Sequence, residues 1–361
     1  MKKFLFFTAD RSEFFIQLNF FELFFKKKIN FHILCSRAIF NEILSIENSK
    51  LKKHLIQNLS IIENKFINSN DYIKISKSLL KIIQKISFDI SIVYGDRVEA
   101  FAYALICFSF RKSLIHLCGG DITKGSIDDK FRNMISSMSH YNITTNFQSY
   151  KRLKVFFNSS KTFNVGFFNP KYLIPDRKFL KKISIKDGEK YILITYHPNT
   201  IGKKKDVLFE IKQLILALNK FKDSYKLIFT YPNPDKYNEI IIDQITKFKN
   251  QNLKNVFFIK KFGKYFSYYL ENAFLFLGNS SSGIYESPKF GTPFINIGNR
   301  QDGRAIRKNV INCKANRLSI VKAINKIINN YSKFSVKLKN NKNMNDKFIN
   351  TINEILKDHE K

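Results

Sequence analysis

The sequence predicts an α/β protein built as two doubly wound domains facing a cleft. Three observations carry this. Short apolar runs stopped by glycine or proline alternate with amphipathic helical stretches, the pattern of a parallel sheet covered on both faces. The same grammar runs through the chain twice. A length of 361 residues suits two domains of ~100–200 residues each.

In chain order, Lys3–Thr8 is an aromatic-rich apolar run and reads as a buried first strand ending in a loop at Ala9–Glu13. Phe14–Phe25 is a helix, with Lys26–Lys28 at its C-terminal end where cations suit the dipole. Asn30–Cys35 is a strand, Asp71–Ile86 an amphipathic helix, and Asp89–Tyr94 a continuous apolar strand stopped by Gly95-Asp96. Glu99–Phe110 is a helix, and Ser113–Leu117 a strand stopped by Gly119-Gly120.

The second half repeats this. Tyr191–Thr195 is a strand stopped by His197-Pro198, Phe209–Phe221 a helix, and Lys226–Thr230 a strand stopped by Tyr231-Pro232. Val256–Ile259, Ala273–Leu277 and Phe294–Ile297 are further strands, the last two closed by Gly278 and Gly298. Pro170 and Pro175, the first prolines in the chain, put the boundary between Gly166 and Gly188. The expected division is residues 1–166, residues 167–343, and a C-terminal helix within 344–361 centred on Lys347–Lys357.

Composition excludes several classes. Hydrophobic residues make up 44% and charged residues 25%, too apolar for a disordered chain. No stretch reaches the ~18 uncharged apolar residues that span a bilayer. The run Met1–Thr8 meets Asp10 and Arg11 at once and has no cleavage site, so the expected location is cytoplasmic. Cys35, Cys107, Cys118 and Cys313 show no C-x-x-C spacing and no histidine completes a zinc set. Neither metal nor cofactor is expected.

The net charge of +33 points first to nucleic acid. Only 11 of the 62 basic residues are arginine, however, and the lysines are spread end to end. Specific phosphate and base recognition favours the planar arginine fork. Biased base composition therefore accounts for most of the charge, and a nucleic-acid partner is not expected. The field still draws in anionic ligands.

Nine of the 13 glycines lie at strand ends in three places, beside most of the notable polar residues. The clearest local signal is Leu277-Gly278-Asn279-Ser280-Ser281-Ser282-Gly283-Ile284-Tyr285-Glu286. A strand ends, a glycine-serine loop follows and a helix begins; hydroxyls and free N–H groups there suit a diphosphate. Glu286, a turn into the helix, is placed to accept ribose hydroxyls. A serine-rich N-cap without ligand is the plainer alternative. Arg300 and Arg304, in Asn299–Arg304, could pair with phosphate oxygens, as could Arg11 after the first strand; solvated basic loops are the alternative.

The third place holds Gly95-Asp96-Arg97-Val98-Glu99 and His116–Asp129, presenting Asp96, Asp121 and Asp128. Clustered carboxylates repel, so one is expected to hold its proton and serve as acid while another serves as base. Asp128 also suits a helix N-terminus. His116 reads as a packed strand-end histidine. His197, on the second half's first strand, could donate to a leaving phosphate, act as general acid, or be structural.

Together these residues resemble the UDP-N-acetylglucosamine 2-epimerase family, in its hydrolysing branch. The resemblance runs from Thr8-Ala9-Asp10-Arg11-Ser12-Glu13 through Gly95-Asp96-Arg97-x-Glu99, Gly119-Gly120-Asp121-x-Thr123-x-Gly125-x-x-Asp128, Met138-Ser139-His140 and His197-Pro198-x-Thr200. It ends in Gly278–Glu286 and Arg300-Gln301-x-Gly303-Arg304. It implies two Rossmann-like domains similar to GT-B glycosyltransferases, a C-terminal helix that crosses back to the N-terminal domain, a homodimer, and a nucleotide-sugar substrate.

The implied reaction breaks the C1–O bond of UDP-N-acetylglucosamine, or of a 2,4-diacetamido-6-deoxy relative, while a carboxylate removes the C2 proton. Water then adds to the glycal and gives a free sugar of N-acetylmannosamine type for nonulosonate synthesis. By resemblance Asp96, Asp121, Asp128 and His197 are catalytic, and Arg11, Ser280, Ser281, Ser282, Gly283, Glu286, Arg300 and Arg304 bind substrate. Cys118 departs from relatives that carry a catalytic glutamate there. A GT-B glycosyltransferase is the enzymatic alternative, and a basic nucleic-acid binder the alternative from another class.

Overall fold

The computed structural model describes residues 2–45, 50–59, 69–124, 126–157, 160–168, 174–180, 183, 185, 188–199, 201–260, 262–304, 306–338 and 343–360. Its strands are β1 Lys3–Thr8, β2 Asn30–Ser36, β3 Leu55–Leu59, β4 Ile90–Tyr94, β5 Ser113–Leu117, β6 Tyr141–Thr144 and β7 Lys161–Asn164, then β8 Tyr191–Thr195, β9 Lys226–Thr230, β10 Val256–Ile259, β11 Leu275–Gly278, β12 Phe294–Ile297 and β13 Val310–Cys313. They form a seven-stranded sheet, β3-β2-β1-β4-β5-β6-β7, and a six-stranded sheet, β10-β9-β8-β11-β12-β13. Every pairing is parallel, with Phe7 opposite Val93 across β1/β4 and Gly278 opposite Thr195 across β11/β8.

Both sheets have the strand order of a dinucleotide-binding fold, reversing direction at one point: between β1 and β4 in the first, between β8 and β11 in the second. Ligands of open α/β sheets bind beyond the carboxyl ends of the strands at such a switch point.

The chain divides into two compact units. The first comprises Met1–Asp121, Asp128–Lys171 and Asn341–Lys361; the second comprises Ile122–Ile127 and Tyr172–Asn340. Residues 122–127, which the sequence puts in the first domain, therefore group with the second unit. Lys124 N–H donates to Asp302 O at 3.1 Å, and a Cβ on Gly303 would come within 2.4 Å of Ile122 Cγ2.

The first unit's sheet is covered on both faces, as parallel sheets require. One face buries phenylalanines of β1, β2 and the helix Arg11–Lys26, together with Phe348, Ile349, Ile352 and Ile355 of the helix Met344–Asp358. Phe6 and Phe21 meet edge-on at 5.0 Å, and Phe20 and Phe348 lie 4.5 Å apart. Asp358 fastens that last helix, accepting from Tyr141 Oη at 2.8 Å and Lys161 Nζ at 2.6 Å. The other face packs the helices Ser69–Ile83 and Val98–Ser109 around Leu5, Phe7, Val93 and Tyr103. The second unit's sheet likewise separates two apolar layers.

Local departures from the sequence reading have local causes. The helix expected to begin at Phe209 spans Lys204–Leu218, because the Asp206 carboxylate accepts Lys203 N–H at 2.9 Å and caps an earlier turn. After the serine loop two four-residue helices, Ser282–Tyr285 and Ser287–Phe290, replace one continuous helix. Among the described residues no helix is long and apolar enough to cross a membrane, and none of the four cysteines is in a disulfide.

Candidate functional site

In the first unit the loops after β1 and β4, at the switch point, bring acidic groups together. Gly95 ends β4 at φ +78°, and a Cβ there would sit 3.1 Å from Glu13 Oε1. Glu13 is buried in the first turn of the helix Arg11–Lys26. Burial pushes its carboxyl well above the ordinary range; Arg97 opposes this, and the charges of Asp10, Glu99 and Asp96 reinforce it. Arg97 Nη2 donates to Glu99 Oε1 at 3.1 Å.

The centre of the first unit's polar end is a residue that the sequence reading missed. Arg132, on the helix Asp128–Met138, is only 2% exposed. Its Nη2 pairs with Asp96 Oδ2, and its Nη1 donates to Asp129 Oδ1 at 2.9 Å and to Asp121 O at 2.8 Å. Burial by itself would lower its pKa, but the Asp96 charge, then that of Asp121, raises it above the ordinary arginine value.

Carboxylates do gather here, but a cation stands among them. Asp96 meets a guanidinium, and the carboxyl pushed upward is Glu13. Asp121 is also more anchored than expected: its Oδ1 accepts from Ser149 Oγ at 2.6 Å, Asn146 Nδ2 at 3.0 Å and Thr145 Oγ1 at 3.3 Å. Those bonds tie Asp121 Oδ1 to the turn after β6. Asp128 is half-buried at the first position of its helix, where a carboxylate also answers the helix dipole.

His116 is packed as expected. Its Nδ1 meets Ser136 Oγ at 2.8 Å and its Nε2 meets Gly95 O at 2.7 Å; burial drops its pKa to about 4. Since a carbonyl only accepts, Nε2 carries the proton and Nδ1 accepts from the serine. Cys118 follows β5 at φ +68°, and burial pushes its thiol far up, so it stays protonated and gives no acid/base partner at neutral pH. Arg11 opens its helix, but its side chain lies outside the described residues, as do Gly125 and Thr200.

In the second unit the loops after β8 and β11 are cross-linked at their switch point. Asn279 Oδ1 accepts His197 N–H at 2.7 Å and Asn279 Nδ2 donates to His197 O at 2.8 Å. This approach requires glycine at 278: φ is +144°, and a Cβ would lie 1.9 Å from Thr195 O. The β12 loop joins in, as Gln301 Nε2 donates to Asn279 O at 2.7 Å and Arg300 Nη1 at 3.4 Å. Arg300 Nη2 lies 3.6 Å from Asp235 Oδ2.

His197 is buried and its Nδ1 accepts Asn233 N–H at 2.9 Å. Burial, then the Arg300 charge, holds its pKa well below the ordinary value. With Nδ1 committed as acceptor the imidazole is neutral, and Nε2–H is its donor. Of the sequence alternatives this keeps donation to an anion and disfavours an imidazolium acid.

The serine loop is tightly folded. Ser280 Oγ accepts Ser282 N–H at 3.3 Å, and Ser281 O accepts the N–H groups of Ile284 and Tyr285 at 2.9 and 3.0 Å. Gly283 packs closely against Phe294, where a Cβ would come within 2.2 Å of the ring. Glu286 is 7% exposed, and burial raises its carboxyl to about 7, opposed by a Ser282 hydrogen bond and Lys289. Arg304 Nη2 donates to Thr123 Oγ1 at 3.1 Å, and its guanidinium lies 5.0 Å from the Tyr285 ring centre. Among the described residues, Glu286 Oε2, Arg300 Nε, and Arg304 Nε and Nη1 are buried without hydrogen-bond partners. A cavity of about 730 Å3 beside these loops is lined by Asn199, Gly202, Glu210, Gly298, Asn299 and Cys313, among others.

The second unit thus combines hydroxyls, guanidinium donors and a neutral histidine donor, a set suited to an anion. The first combines a guanidinium-paired aspartate with nearby carboxyls, a set suited to moving protons. The sequence pattern described as UDP-N-acetylglucosamine 2-epimerase matches residues 56–356. A hydrolysing GDP/UDP-N,N'-diacetylbacillosamine 2-epimerase of Campylobacter jejuni is 37% identical over 241 residues, 64% of this chain and 61% of that protein. A UDP-N-acetylglucosamine 2-epimerase of Neisseria meningitidis serogroup B is 28% identical over 250 residues, 68% of this chain and 64% of that protein. The chain therefore spans somewhat under two thirds of the length of these curated relatives. The crystal structure of UDP-GlcNAc 2-epimerase from Neisseria meningitidis bound to UDP-GlcNAc shares the fold, with a TM-score of 0.78 and 19% identity over 98% of this chain and 100% of that one. With 301 of its 361 residues inside the matched pattern, this chain belongs to the UDP-N-acetylglucosamine 2-epimerase family.

Proposed function

We propose that the chain is a hydrolysing nucleotide-sugar 2-epimerase. It releases UDP from UDP-N-acetylglucosamine, or from a 2,4-diacetamido-6-deoxy relative, and yields the free 2-epimer. The C1–O bond breaks with its electron pair leaving on UDP. The C2–H bond supplies the pair that makes C1=C2, and its proton passes to a carboxylate of the first unit. Water then adds OH to C1 and H to C2 on the opposite face. Asp96 and Asp128 carry the proton transfers; Asp121 holds the loop that shapes their surroundings.

In the second unit Ser280, Ser281 and Ser282 offer hydroxyls to the diphosphate, and His197 Nε2–H, Arg300 and Arg304 stabilise its charge as it departs. Arg11 is also counted among the substrate-binding residues in this reading. Gly283 lets the loop lie close, and Glu286 receives the ribose hydroxyls. A cytoplasmic homodimer that supplies nonulosonate synthesis belongs to the same reading.

The observation that carries the proposal is the set of unpaired buried groups Glu286 Oε2, Arg300 Nε and Arg304 Nη1 in a member of this family. Leaving such atoms unpaired costs about 1–3 kcal/mol each, which a ribose and a diphosphate would offset. The test is incubation with UDP-N-acetylglucosamine and with UDP-N,N'-diacetylbacillosamine in D2O. UDP and a free 2-epimer carrying deuterium at C2 are expected. UDP release only in the presence of an acceptor would mark a glycosyltransferase, and no release from either sugar would overturn the proposal.

A further inference from the structure

We propose that Arg132 is a positioning residue that orients Asp96 and keeps it charged as the proton acceptor of the first unit. The identity of the substrate rests on the epimerase reading above; the Arg132–Asp96 relation does not. An arginine is almost never fully buried unless paired, and Arg132 is among the largest fully buried side chains here. Its Nη1 donates to Asp121 O and Asp129 Oδ1, which pins the guanidinium to its own helix and the loop before it. Nη2 is thereby aimed at Asp96 Oδ2. Asp128 lies four residues earlier on the same helix, the spacing that puts two side chains on one face.

Arg132 is a buried cation paired directly with Asp96. His116 from β5 is neutral, Cys118 beyond β5 is a protonated thiol, and Asp121, Asp129 and Glu13 are acids. Arg97, next to Asp96, is engaged with Glu99. Removing Arg132 takes a paired cation from Asp96 and loosens its direction.

The experiment compares wild type, Arg132→Met, Arg132→Lys, Asp96→Asn and the double variant Asp96→Asn/Arg132→Met, each checked for native circular dichroism. In Arg132→Met, kcat is expected to fall about 100-fold with KM within a few-fold. The acidic limb of kcat/KM should move up by about 1–2 pH units. Arg132→Lys keeps the charge and loses the fork: the limb stays within about half a pH unit while kcat drops about tenfold. In the Asp96→Asn background Arg132→Met should add less than about threefold.

Carboxyl 13C NMR of aspartate-labelled protein, with Asp96 assigned by its asparagine variant, reads the same relation without turnover; Asp96 should titrate higher in Arg132→Met. A folded Arg132→Met with unmoved limb and unmoved Asp96 resonance overturns the proposal. If Arg132→Met does not fold, an Arg132→Lys enzyme with full kcat overturns it instead. An inactive wild type would defeat the epimerase reading, and the NMR titration would then decide the Arg132–Asp96 relation by itself.

Discussion

Replacing Glu286 by glutamine should remove a pH dependence from the second unit's stability. The carboxyl is 7% exposed and titrates near 7 in the folded chain against an ordinary 4.5. Burial is the main cause, and the folded state therefore prefers the protonated acid. The resulting stability is fully present below pH 4.5 and is lost as pH rises through 7. At ~1.4 kcal/mol per pH unit the full loss is about 3 kcal/mol, of which about 2–3 kcal/mol falls between pH 5 and pH 8. Glutamine is neutral throughout and keeps the size and the contact with Ser282. Urea-dependent hydrogen exchange of peptides from β11 and β12, at pH 5 and pH 8, reads the local opening energy of wild type and variant. Subtracting the two curves cancels the other titrating groups. Glu286→Gln should gain on wild type by about 2–3 kcal/mol between the two pH values. Curves that stay parallel would refute the argument that Glu286 is buried at the expense of its charge.

Three further outcomes follow from the packing. Gly278→Ala puts a Cβ against Thr195 O at 1.9 Å and should cost the second unit more than about 4 kcal/mol, measured as loss of exchange protection in β8 and β11. His116→Gln should be most stable relative to wild type in acid. A lowered pKa of about 4 means that the wild-type histidine's contribution is complete above ~6.5 and is lost as pH falls towards 4; paired denaturation series at pH 4.5 and 7.5 check this. Phe348→Ala empties the contact with Phe20 at 4.5 Å and should destabilise the first unit by about 3–5 kcal/mol, read by its urea midpoint.

Where the chain is apolar and punctuated, the sequence was legible to the residue. β5, β8, β9, β10 and β12 have the bounds that their apolar runs and stops predict. β6 and β7 were missed because Tyr141-Asn142-Ile143-Thr144 and Lys161-Thr162-Phe163-Asn164 are only four residues each and contain no continuous apolar run. Missing them left the helix Asp128–Met138 unassigned, and Arg132 with it. The available signal was spacing: Asp128, Asp129 and Arg132 stand at i, i+1 and i+4 in a chain with few arginines. The serine loop and its glycines were legible because only glycine tolerates positions 278 and 283. The state of Glu286 and the tautomer of His197 were not, since both depend on what covers them.

The first unit draws a helix from the residues that follow the second unit, with Phe348, Ile352 and Ile355 filling the same layer as Phe20 and Phe24. During ribosomal synthesis, therefore, that layer stays open until Ile355 has been added. The second unit has its full complement of strands by Cys313 and is able to settle earlier, the reverse of the usual order of emergence. A nascent chain stalled in between would expose a phenylalanine-lined groove, the kind of surface that chaperones recognise.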